Sequence, residues 1–212
     1  MSVRLEMQTN LAYKSNSKTP SWLMLFALCF AFSHAPKLFA YGEIISINGI
    51  YDYQKNKQLL MDSESIFRLP GYVTQAINSE VPLNFRIQIE LTEDSNLFGI
   101  QYQRTRKQLD FHTRLKASGV KRTYQLYNTR NHKTQNFRSL DEALKTLSTL
   151  QAFPIASLSE LHPEQRYTLR MRIRLDISEL PAPLLAEAIF TDKWLLDSEW
   201  YETTLKTPLS WQ

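Results

Sequence analysis

From Leu83 to Leu91 every second residue is apolar: Leu83, Phe85, Ile87, Ile89 and Leu91 alternate with Asn84, Arg86, Gln88 and Glu90. A strand with one buried face requires this period of two, because successive side chains point to opposite sides of a sheet. The pattern returns near the end of the chain. There Tyr167, Leu169, Met171, Ile173 and Leu175 alternate with Arg166, Thr168, Arg170, Arg172 and Arg174. Weaker alternation marks Ile45-Ile47, Tyr51-Tyr53, Leu109 to Leu115, Val120 to Leu126 and Trp194 to Trp200. Turn-forming residues separate these runs, at Asn48-Gly49, Gln54 to Lys57, Asp94 to Asn96, Ser118-Gly119 and Asn128 to Lys133. Such a chain is built of sheets.

One helix interrupts them. Ser139 is a good N-cap, and Glu142 completes an S-x-x-E capping box. Leu140, Ala143, Leu144, Leu147 and Leu150 then form one helical stripe, and Pro154 stops it. This predicts a helix near 139–151 with Leu144 in the core, and shorter helical turns at Tyr72 to Asn78 and Ser157 to Leu161. Six or seven strands with one inserted α-helix predict a mainly β fold, an antiparallel β-sandwich of the immunoglobulin-like kind. An outer-membrane barrel would also alternate, but the capped helix and Pro181-Ala182-Pro183 argue against it.

The N-terminal residues carry a different signal. Lys14 and Lys18 precede the apolar run Trp22 to Phe32, which is followed by Ser33, Ala35 and Ala40. A basic region, an apolar core and small residues describe a secretory signal peptide. The run is shorter than the ~20 apolar residues of a membrane span. The expectation is a signal peptide over 1–40, cleaved after Ala40, and a single β-rich domain over 41–212 in the periplasm. The alternative is an uncleaved anchor holding that domain at the inner membrane. Beyond that segment no stretch of the chain approaches a membrane span.

Cys29, the single cysteine, falls inside the apolar run, so residues 41–212 have no thiol for disulfides, nucleophilic catalysis or zinc. Arg4, Lys14, Lys18, Lys37 and Glu6 also lie in the first 40 residues, which leaves 41–212 at a net charge of +1. Near neutrality gives no electrostatic reason to expect nucleic acid as a partner.

Five motifs occur in order along the chain. They are Val81-Pro82-Leu83, Tyr124-Gln125-Leu126-Tyr127, Phe137 to Leu144, Arg174-Leu175-Asp176 with Leu180 to Leu184, and Trp194 to Trp200. In this order and spacing the chain resembles the proteobacterial family known as domain of unknown function 4390, over about Gly42 to Lys206. The resemblance implies an exported protein of the Gram-negative cell envelope, with no assigned activity and no catalytic residues to carry over. It also suggests an accessory to a periplasmic sensor kinase domain. The chain departs from the family pattern at Glu80, where a small residue is expected, and at Asn96-Leu97-Phe98-Gly99, where a tryptophan-rich stretch is expected.

No recognisable catalytic constellation emerges. The five glycines are scattered, so no phosphate cradle forms, and the G-x-S-x-G pattern of serine hydrolases is absent. His112, His132 and His162 stand too far apart for a local metal motif, and neither metal nor cofactor is expected. Asp192, Asp197 and Glu199 beside Trp194, Trp200 and Tyr201 are the residues a carbohydrate-active or other hydrolase would use, acids flanking sugar-stacking rings. Strand parity places Trp194 and Trp200 together on a core face. Arg170, Arg172 and Arg174, with Arg166 near the start of their strand, share one face and are the candidate binding residues for an envelope protein or an anionic ligand. The competing reading pairs them with carboxylates such as Glu90 or Asp110. A non-enzymatic binding or accessory module is therefore the expected function.

Overall fold

The structure, a computed structural model, describes residues 44–119 and 123–205. The expected export segment at 1–40 lies outside the described residues, as do Val120 and Arg122.

Two antiparallel sheets organise the described residues. The smaller contains β1 (Ile45–Lys55), β2 (Gln58–Phe67) and β7 (Thr149–Ser157), in the order β1-β2-β7. The larger runs β6-β5-β4-β3-β8-β9 and comprises β3 (Leu83–Leu97), β4 (Ile100–Ser118), β5 (Thr123–Asn128), β6 (Lys133–Phe137), β8 (Tyr167–Leu175) and β9 (Tyr201–Thr204). Neither closes into a barrel. Three helices join them: α1 (Gly71–Asn78), α2 (Leu140–Leu147) and α3 (Ala182–Phe190). The fold is mainly β and agrees with a β-sandwich.

The odd-numbered residues of β3 and β8 line the core, as their alternation requires. Phe85, Ile87, Ile89, Leu91, Leu169, Met171 and Ile173 are buried there with Ile45, Leu59 and Met61 of the smaller sheet and Val73 and Ile77 of α1. Phe67 meets Phe85 edge to face at 5.4 Å. Each such large apolar side chain contributes about 1.5–3 kcal/mol by leaving water.

Several expectations need correction. The helix α2 ends at Leu147 rather than near 151, because Thr149 already pairs with Glu64 in β7. Pro154 therefore stops no helix. It sits within β7, an edge strand, where a residue without an N–H is tolerated. Leu144 is only half-buried, and Ala143 and Leu147 face the core instead. The cap itself forms: Ser139 Oγ accepts from the Glu142 amide at 3.2 Å. The Glu142 carboxylate accepts from the Arg138 amide at 3.1 Å, one residue before the capping position. Asn48-Gly49 makes a bulge inside β1 rather than a turn. Helix α3 was not foreseen from the sequence. It follows Pro181, with a proline in its first turn where no N–H is needed.

The hairpin of β3 and β4 is the feature that extends furthest. Its pairing runs from Leu83 opposite Leu115 to Leu97 opposite Ile100, through the stretch Asp94 to Asn96 expected to turn. Strand β8 accompanies β3 only as far as Glu93 opposite Tyr167. Residues 94–103 therefore leave the sheet as a two-stranded ribbon. Among the described residues no helix is long and apolar enough to cross a membrane.

Candidate functional site

The outer face of the six-stranded sheet carries the even-numbered side chains of β3, β4 and β8. Arg170, Arg172 and Arg174 share it, and Arg166 lies in the loop before β8. Register fixes what each arginine meets. Arg170 stands opposite Glu90 and Glu202, Arg172 opposite Gln88, and Arg174 opposite Arg86.

Arg170 donates through Nε to Glu90 at 2.8 Å and reaches Glu202 at 3.5 Å. Arg172 forms a two-pronged pair with Asp197, with Nε donating at 2.8 Å. Trp200 lies beneath both, 4.6 Å from the Arg170 guanidinium and 6.0 Å from that of Arg172. Asp110 pairs with Arg86 through Nε at 2.9 Å, not with the stripe. Arg114 donates to Asn84 at 2.8 Å. Among the described residues Arg174 has no ion pair and no side-chain hydrogen bond. One guanidinium of the three is thus left uncompensated, directly across from a second one.

Two carboxylates of this face, those of Asp110 and Asp176, have their pKa lowered. Hydrogen bonds from Arg86 keep Asp110 below its ordinary value, against the upward push of burial. For Asp176 burial is the largest influence and acts upward, but bonds from Ser178 and His112 outweigh it and lower the pKa. A carboxylate depressed on folding stabilises the fold above its unfolded pKa, about 4, and that contribution is lost as pH falls through the folded value. The urea midpoint should therefore hold between neutral pH and about 5 and fall below about 4. Asp110→Asn should make that acid decline shallower. An unaltered decline would show that the Arg86 pair contributes nothing.

The Trp194–Trp200 segment does not form the strand that its parity suggested. Asp192 to Trp194 make a 3-10 turn, and the segment meets β8 at a single bridge, Asp197 opposite Arg174, closed by the Leu175 amide donating to the Leu196 carbonyl and the Ser198 amide donating to the Ile173 carbonyl. Glu199 adopts a φ of 55°, which breaks the alternation. Trp194 is buried against Tyr72, whereas Trp200 turns to the outer face and supports the arginines. The two rings do not share a core face. Asp197 is committed to Arg172, and Asp192 and Glu199 are exposed, with no bond placing them as an acid–base pair.

The histidines are dispersed as well. His112 Nε2 lies 3.0 Å from Asp176, His132 Nδ1 lies 3.0 Å from the Tyr127 hydroxyl, and His162 is exposed. Among the described residues no three His, Cys, Asp or Glu side chains are grouped to hold a metal ion.

Two features escaped sequence reasoning. A cleft of about 170 Å³ is lined by Ile87, Phe111, Met171, Leu150, Thr113 and Lys133, among others. Its residues come from seven separate elements, so no local motif could announce it. The other is the ribbon tip, where Leu97, Phe98, Ile100 and Tyr102 are exposed. Phe98-Gly99 is the turn, with positive φ at both residues; the sequence marks this place as a departure from the family pattern at Asn96-Leu97-Phe98-Gly99 but not as a projecting tip. Comparison with known proteins adds one match: the model of the family described as Domain of unknown function (DUF4390) covers residues 45–204. No curated protein and no solved structure matches.

Proposed function

We propose that this chain, which belongs to the DUF4390 family, is an exported, non-enzymatic binding module of the cell envelope. It takes an anionic group of another envelope protein at the Arg174 end of its outer sheet face. An accessory role beside the extracytoplasmic domain of a sensor kinase is one form of this reading. The supporting observation is the single guanidinium of Arg174, without a carboxylate and facing Arg86 across the strands. Like charges directly opposite on a sheet repel, and an anion placed between them turns that repulsion into attraction. Arg86 is neutralised by Asp110, but its guanidinium still presents N–H groups beside Arg174. Arg114, exposed and bonded only to the neutral Asn84, adds a further cation two positions along β4.

Arg170 and Arg172 support the face rather than serve as free ligands, so the discriminating substitution is Arg174→Gln alone. Tagged parent and variant proteins, recovered from the envelope fraction, should unfold at the same urea concentration. The variant should capture its protein partner about 10–100-fold less well, the loss of one charge-assisted contact. Equal capture by a fully folded variant would remove Arg174 as the site.

A further inference from the structure

The projecting ribbon is a second surface, independent of the arginine face, and the geometry points to insertion of its tip into a lipid surface. Phe98 is 97% exposed and holds a φ of 52°. A bulky residue in left-handed backbone is disfavoured, and the first position of this two-residue turn ordinarily takes asparagine, aspartate or glycine. The fold gives Phe98 no packing that would compensate. The turn is held by Asn96, whose side-chain oxygen accepts from the Gly99 amide at 2.9 Å. No packing within the fold accounts for a phenylalanine at this position.

The side chains around it are ordered by polarity. Leu97 and Ile100 are cross-strand partners at the first rung, 56% and 70% exposed. Tyr102, two residues further down the same face of β4, is also exposed. Arg104 follows on that face, exposed and without an ion pair among the described residues. At about 3.4 Å per residue Tyr102 stands about 7 Å, and Arg104 about 14 Å, behind the Leu97–Ile100 rung. Apolar apex, amphipathic phenol and then cation is the order in which a lipid leaflet changes from acyl chain to interface to phosphate. Ser95 to Gln103 carry no charge, in a chain of which 22% of residues are charged. Asp94 lies on the opposite face of the ribbon, between the levels of Tyr102 and Arg104. The open cleft beside the ribbon, lined by residues 94–96 and 101–103 with Gln165 and Arg166, is polar and lies behind the apex, whereas the narrow apolar apex can enter a lipid surface end-on.

The test uses the whole chain with vesicles of phosphatidylethanolamine and phosphatidylglycerol. In Phe98→Trp, fluorescence measured against the parent should shift to the blue, and lipids brominated on the acyl chains should quench the added indole. This readout reports the tip itself, whether or not the N-terminal segment is retained. Phe98→Asn should bind vesicles at least about tenfold more weakly once that background is subtracted. It should unfold no more easily than the parent, because asparagine suits the turn. An added indole that bromolipids leave unquenched overturns the inference. So does one that changes only when another protein is present, which would make the tip a protein contact.

Discussion

Trp194→Ala should lower the unfolding free energy by about 3–5 kcal/mol, the range for removing a large buried aromatic. Trp194 is 2% exposed and ties two parts of the chain together. Its indole N–H donates to Glu187 of α3 at 2.8 Å, and its ring meets Tyr72 of α1 edge to face at 5.3 Å. The Tyr72 hydroxyl in turn donates to the Lys193 carbonyl. Alanine would open a cavity and leave the Glu187 carboxylate with Lys193 as its remaining partner. Urea unfolding of the parent, Trp194→Ala and Trp194→Phe measures the effect, with phenylalanine recovering much of the packing. A cost below about 1 kcal/mol for alanine would mean that the site collapses around the missing ring.

The second large effect concerns the charged face. Arg170→Met should destabilise by about 2–3 kcal/mol, because it strands Glu90, 8% exposed, without its cation. The partial exposure of Arg170 keeps this below the cost for a fully buried pair. Replacing both residues should reverse most of the loss. Glu90→Leu combined with Arg170→Met should lie within about 1 kcal/mol of the parent, since removing both charges removes their desolvation as well. If the double variant is as unstable as the sum of the singles, the two residues do not act as a pair.

These predictions show where sequence periodicity is informative. The buried alternation of β3 and β8 was legible because a single face against a core leaves no other register. That the stripe could meet carboxylates such as Glu90 was legible from its shared face, but that Arg170 is the residue that meets it follows from the pairing of β8 with β3. What failed were segments in which one residue changes the parity. At Glu199 a single left-handed residue sends Trp200 to the outer face, and at Gly49 a bulge leaves Ile50 buried and Tyr51 exposed. Neither event leaves a mark in a hydrophobicity pattern. Pro154 misled for a different reason. Proline excludes helix interior and central strand alike, and only the sheet order shows that it occupies an edge. The arginine stripe was visible from spacing. That Arg174 alone lacks a carboxylate depends on which strands flank β8, and the sequence carries no direct trace of that neighbourhood.

The edge strand β7 has a consequence for how copies of this chain behave at high concentration. A free sheet edge invites another chain to add a strand, the first step toward fibrous aggregation. Here that row of hydrogen-bonding groups is interrupted twice within three residues. Ala152 bends away with a φ of 49°, and its amide is taken by Asp62 at 2.7 Å. Pro154 then supplies no donor at all. A neighbouring molecule that tried to extend the sheet would find no continuous ladder along β7. The irregularities that obscured this segment in the sequence thus act as a safeguard against self-templating.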